Sequence, residues 1–158
     1  MLDYIVHIAK GFINLNDRIQ CSFTQIIINA IFSQTIKNQT NFSHAVKAGP
    51  FIFTAGHTAF MPGTSELDEK AVGNIELQTR QTLEVLKGIL EDAGSSLEDV
   101  ILSKVYLTNI KDYYKMNKVY SEYFTKREEA PARMCMEINA LAKPELLIEI
   151  EMIALAHD

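Results

Sequence analysis

The spacing of apolar positions changes several times along the chain, and each change marks an element. Ser43-His44-Ala45-Val46-Lys47 and Phe51-Ile52-Phe53-Thr54 are short strand-like runs on either side of Ala48-Gly49-Pro50, a Gly-Pro turn signal, and together they predict a β-hairpin. After a loop carrying Pro62 and Gly63, apolar residues at Ile75, Leu83, Leu86, Ile89, Leu90 and Ala93 recur at helical spacing, and Gly94 follows as a C-terminal cap. That pattern predicts a long amphipathic helix. Val100 to Thr108 is β-branched and apolar, a strand lying between helices. A second helix shows one apolar face of Tyr113, Met116, Tyr120, Tyr123 and Phe124, with Asp112 or Asn109 to cap its start, and Pro131 forbids its continuation. Ala132 to Ile138 and Leu147 to Leu155 read as two closing strands around the turn Ala142-Lys143-Pro144-Glu145.

The order ββαβαββ predicts an α+β domain, a mixed sheet with two helices on one face. The first 40 residues, rich in Ile, Phe, Asn and Gln, show little periodicity, so the boundary is placed there: residues 1–40 form an extension and 41–158 the domain. The extension is open to four readings: a poorly ordered tail, an extra strand or helix, a targeting peptide, or an upstream-extended reading frame.

Composition narrows the function classes. With 158 residues, 47% of them apolar and 22% charged, the chain suffices for one core that needs neither disulfide nor metal. A net charge of −5 without any Lys/Arg cluster repels phosphate backbones, so nucleic acid is not an expected partner. Cys21 and Cys135 lack disulfide-framework or zinc-ligand spacing, which suits a reducing compartment. The uncharged run from Ile19 to Ile36 is broken by Gln20, Ser22, Thr24, Gln25 and Asn29, so no membrane span is expected. The start MLDYIVHIAK carries Asp3 where a secretory signal needs positive charge; the expected location is the cytoplasm, with organellar targeting by residues 1–40 left open.

Candidate chemistry gathers in the last two strands. Alternation puts Arg133, Cys135 and Glu137 on one face and Met134, Met136 and Ile138 on the other, which reads as a polar face and a core face. In the final strand Ile148, Ile150 and Met152 point one way, Glu149 and Glu151 the other. If these strands pair, a guanidinium and carboxylates come within reach of each other. Spacing alone is better served by a wet sheet face with a weak cross-strand ion pair.

The ordered series of motifs goes further. Pro131-Ala132-Arg133-Met134-Cys135-Met136-Glu137-Ile138, Ile148-Glu149-Ile150-Glu151, Phe53-Thr54-Ala55-Gly56-His57, Gln78-Thr79-Arg80-Gln81-Thr82-Leu83, Asp92 to Val100 and Asn117 to Phe124 resemble, in order and spacing, the RidA/YjgF family of reactive-intermediate deaminases, also labelled endoribonuclease L-PSP. The likeness covers nearly everything after residue 42. It implies a chorismate-mutase-like fold, a homotrimer with sites in the clefts between subunits, and hydrolysis of 2-iminopropanoate and 2-iminobutanoate to 2-keto acids and ammonia. By position it makes Arg133 the anchor for the substrate carboxylate and Glu149 the residue that positions or activates water. Cys135 and Gly56 would line the pocket, with Ala55, Phe42, Asn117 and Pro131 as further substrate-binding positions. A planar guanidinium can grip a carboxylate through two parallel hydrogen bonds, and a carboxylate base near the imine carbon helps water add. Metal, flavin and nicotinamide have no part in that chemistry.

Several positions depart from the pattern. Phe42 stands where many members have Tyr, His57 where Gln is common, and Met134 and Asn139 where smaller or different residues are expected. Cys135 reads as pocket lining rather than a nucleophile, and His44 and His57 lack a Ser or Cys partner at an elbow motif. Two other functions stand beside the deaminase: a trimeric ligand-binding protein without turnover, and a ribonuclease, which the acidic balance disfavours.

Overall fold

Strand pairing begins upstream of the point where clear periodicity does. The computed structural model describes residues 28–34, 41–61, 64 and 66–157. The Pro62-Gly63 loop, the chain start, Cys21 and most of the Ile19–Ile36 run lie outside the described residues. Six strands, β1 (Ile28–Ile31), β2 (Ala45–Ala48), β3 (Phe51–Thr54), β4 (Val100–Leu107), β5 (Ala132–Glu137) and β6 (Ile148–Leu155), form one sheet in the order β1-β2-β3-β6-β4-β5. All neighbours are antiparallel except β4 and β5, the pair joined through helix α2 (Tyr113–Tyr123). Helix α1 (Ile75–Asp92) connects β3 to β4. The order ββαβαββ holds from β2 onward, and β1, inside the first 40 residues, adds an edge strand. Ser33 Oγ and Gln34 N–H both donate to Asp92 at the end of α1, at 2.5 and 2.9 Å, which ties the exit of β1 to the helix layer.

Local chemistry accounts for the element ends. Asn74 Oδ1 accepts from Leu77 N–H at 3.0 Å and starts α1. Gly94, at φ 76°, ends it: Gly94 N–H returns to the Glu91 carbonyl and Ser95 N–H to that of Leu90. Of the two caps foreseen for α2, Asn109 makes the side-chain bond, to Lys111 N–H at the head of a short 3-10 turn, while the Asp112 side chain makes none.

Both helices lie on one face of the sheet, over Ile52, Val105, Leu107, Ile148, Ile150 and Met152, all essentially inaccessible. Gln78, fully buried on α1, donates to the Ala71 and Glu145 carbonyls and accepts from Leu147 N–H, so it staples the loop before β6 to the helix. The other sheet face is uncovered and carries Phe51, Phe53, Met134, Met136 and Leu155, each more than a third exposed. Among the described residues no helix is long and apolar enough to cross a membrane.

Two expectations about β5 fail here. β5 does not pair with β6; β4 lies between them. On β5 the faces are also reversed: Arg133 and Cys135 stand beside buried Ser103 and Val105 on the helix side, while Met134 and Met136 are exposed on the open side. Aromatic side chains of α2 make the helix side the better environment for a guanidinium at a sheet edge.

Candidate functional site

Arg133 is held by α2. Its Nη2 donates to Asn117 Oδ1 at 2.8 Å and to the Tyr113 hydroxyl at 3.1 Å, and its Cζ lies 4.6 Å from the Tyr120 ring centroid and 5.7 Å from that of Tyr113. Residues 113, 117 and 120 share one helix face, so one element sets both the plane and the rotation of the guanidinium. Cys135, two residues on, is half-buried against the core; burial pushes its thiol pKa up and the Arg133 charge pulls the other way. Burial thus works against formation of a thiolate nucleophile at Cys135. Pro131, half-buried, leads directly into this strand.

Glu149 is held by backbone. On β6 it alternates with buried Ile148 and Ile150 and stands opposite Tyr106, so it faces the open side. β3 pairs with β6 only as far as Phe53, where Thr54 Oγ1 accepts Met152 N–H at 2.8 Å. The chain rejoins at His57, whose N–H and carbonyl both pair with Ile150 at 2.9 Å. The intervening Ala55-Gly56 segment presses against Glu149: a Cβ on Gly56 would lie 2.0 Å from Glu149 Oε1 and 2.8 Å from Cδ. Glycine is required for that close approach. Burial raises the Glu149 pKa, and the neighbouring Glu151 charge raises it further. Glu151 itself is paired with Lys104 across β4.

Beneath this segment lies a buried histidine pair. His57 Nε2 donates to the His44 carbonyl at 3.0 Å, and the two rings meet edge to face at 6.2 Å. Burial lowers the His57 pKa to about 4 and also lowers that of His44. Neutral, enclosed imidazoles anchor structure here.

Within one copy of the chain, then, the expected residues fall into two groups. Arg133, Asn117, Cys135 and Pro131 gather at the β5 edge on the helix side; Glu149, Gly56 and Ala55 gather on the open side. Phe42 is exposed on the approach to β2. The expectation that strand pairing alone brings guanidinium and carboxylate together is overturned, because the two sides of a sheet do not meet. Tyr113 and Tyr120 read as helix core in the sequence, although their i, i+4, i+7 spacing with Asn117 was the signal that they share one purpose. Among the described residues no cluster of His, Cys, Asp and Glu could hold a metal ion.

The family model described as Endoribonuclease L-PSP matches residues 18–156. A RutC family protein of Pyrococcus horikoshii is 50% identical over 113 residues, 72% of this chain and 85% of that protein. The 3-aminoacrylate deaminase RutC of Acinetobacter baylyi is 41% identical over 110 residues, 70% of this chain and 82% of that protein. Among solved structures, E. coli TdcF with bound serine aligns at a TM-score of 0.71 and 29% identity, covering 82% of this chain and 99% of that one.

Proposed function

The chain belongs to the endoribonuclease L-PSP family, and from that premise we propose that it hydrolyses reactive 2-imino acids to 2-keto acids and ammonia, in sites that two copies of the chain build together. One observation carries the reading. The protein holds a cation and a base in place: a guanidinium stacked and hydrogen-bonded by its own helix, and a half-buried carboxylate whose proton affinity burial and Glu151 have raised. The named relatives fit it. One acts on 3-aminoacrylate, and another was solved with serine, which carries a carboxylate beside a nitrogen.

Arg133 anchors the substrate carboxylate and so fixes the imine carbon. Glu149 removes a proton from water as its oxygen bonds to that carbon, and the C=N electron pair moves to nitrogen, which takes up a proton from solvent. In the resulting carbinolamine the hydroxyl releases its proton to solvent, its oxygen forms the C=O bond as the C–N bond breaks, and the proton held by Glu149 goes to the leaving nitrogen. The products are the 2-keto acid and ammonia. Positioned base catalysis is typically worth about 10²–10⁴-fold, enough for an imine that already hydrolyses in water.

Because Arg133 and Glu149 stand on opposite faces of one sheet, the complete site needs the Arg133 side of one copy against the Glu149 side of another. The exposed apolar residues of the open face support such an assembly, and a closed ring of three copies would pair every Arg133 with a Glu149. Complementation tests the arrangement. Arg133→Ala and Glu149→Gln proteins, each inactive alone, are mixed under subunit exchange and assayed for keto-acid release from a freshly generated 2-imino acid. Random assembly is expected to restore about a quarter of the wild-type sites. A mixture that stays inactive while the copies exchange overturns the shared site. A wild type no faster than the protein-free control overturns imine hydrolysis.

A further inference from the structure

A guanidinium offers a carboxylate two parallel-donor edges, Nη1/Nη2 at its end and Nε/Nη2 along its side, and Nη2 belongs to both. In Arg133 both Nη2 hydrogens are engaged, one by Asn117 Oδ1 at 2.8 Å and one by the Tyr113 hydroxyl at 3.1 Å. The usual two-pronged grip is therefore closed unless one of these bonds breaks. Tyr113 supplies the missing prong. Its oxygen accepts from Nη2 and keeps its own proton to donate, and a charged donor behind a hydroxyl polarises that hydroxyl toward an acceptor. The ring is held beside the guanidinium, 5.7 Å from Cζ and edge to face with Tyr114 at 5.4 Å, while Tyr120 on α2 keeps the guanidinium plane in place.

We propose that Tyr113 is a substrate-binding residue of this chain, its hydroxyl forming a carboxylate clamp together with Nη1 of Arg133. One carboxylate oxygen takes the guanidinium N–H and the other the phenol O–H, while Asn117 keeps the guanidinium from rotating. The clamp fits a small monocarboxylate with its reactive carbon adjacent, since the phenol occupies the place of a second guanidinium donor. The inference rests on Arg133 being the carboxylate anchor proposed above.

Equilibrium binding of 2-oxobutanoate, followed by NMR titration of the full chain, separates the two ideas. Wild type, Arg133→Ala and Tyr113→Phe are compared; the Phe variant keeps the ring and removes only the hydroxyl. Loss of a hydrogen bond to a charged group is expected to weaken 2-oxobutanoate binding about tenfold in Tyr113→Phe, with a matching rise in KM for the imine and kcat within twofold of wild type. Tyr113→Phe binding 2-oxobutanoate as wild type does overturns the clamp and leaves the anchor standing. A fall in kcat at unchanged KM also overturns it, since that pattern belongs to a disturbed fold or base rather than to a lost ligand contact. If wild type binds no better than Arg133→Ala, the anchor itself fails, and the clamp with it.

Discussion

Arg133 is fixed by side chains and Glu149 by backbone. The first leans on Asn117, Tyr113 and Tyr120, three separate groups from one helix. The second sits under Gly56, in a bulge pinned by Thr54 to Met152 and by His57 to Ile150. Side-chain support is divisible: removing one contact leaves the others, and losses come in steps. Backbone support is not, because the approach of Gly56 to the carboxylate exists only while no Cβ intervenes.

The sharpest way to break this contrast is Gly56→Ala. A Cβ 2.0 Å from Oε1 displaces the carboxylate, and misplacing a reacting group by about an ångström costs on the order of 100-fold in rate. The atom in the way is the end of a flexible side chain, so the expected loss of stability is below about 1 kcal/mol. Imine hydrolysis and thermal unfolding, measured on one preparation, should separate accordingly; equal activity to wild type would show that the backbone does not place Glu149.

Arg133→Lys tests the divisible side. Lysine keeps the charge and loses the planar stack and the bond geometry, so kcat/KM should drop about 10- to 100-fold, mostly through KM. A collapse of kcat instead would place Arg133 in the chemical step.

His57→Gln probes the footing of the bulge through pH. The folded-state pKa of His57, about 4, lies below the ordinary 6.5, so above pH 6.5 neither the folded nor the unfolded state holds the extra proton and nothing is lost. Between pH 6.5 and 4 the unfolded chain binds a proton that the folded chain refuses, and stability falls by up to about 3 kcal/mol at the acid end. Denaturant unfolding across that range should be less steeply pH-dependent in His57→Gln; an identical slope would mean that the buried imidazole does not govern the bulge.

The smallest expected effect is that of Glu151→Gln. Removing this charge lowers the Glu149 pKa, and the Lys104 ammonium left unpaired acts in the same sense. The acid limb of the kcat/KM profile should therefore move to lower pH with kcat on the plateau unchanged. A limb that does not move would assign it to another group.

Periodicity alone was enough for the elements from β2 onward. Two-residue alternation in Ile148–Leu155 and 3.6-residue recurrence in Ile75–Asp92 are local properties, and cap residues such as Gly94 and Asn109 act within a turn of their own position. The motif series from Phe53 to Glu151 likewise pointed to the side chains proposed to carry chemistry. What the sequence by itself determined is thus the class of fold and its elements from β2 onward, and it nominated Arg133 and Glu149 as the proposed anchor and base. β1 escaped because four residues among Ile, Asn and Phe make too short a run to distinguish a strand.

Only tertiary structure decided on which side of the sheet each of those side chains stands. Alternation says that Arg133 and Met134 face opposite ways but not which way is inward; that depended on α2 bringing Tyr113, Asn117 and Tyr120 over the β5 edge. It depended also on β4 lying between β5 and β6, a pairing choice between residues far apart in the chain. Such choices are settled by the burial of whole faces, a sum over the fold that no local window contains. The same sum left an apolar face open and separated guanidinium from carboxylate, which is why the proposed site takes its other half from a second copy of the chain.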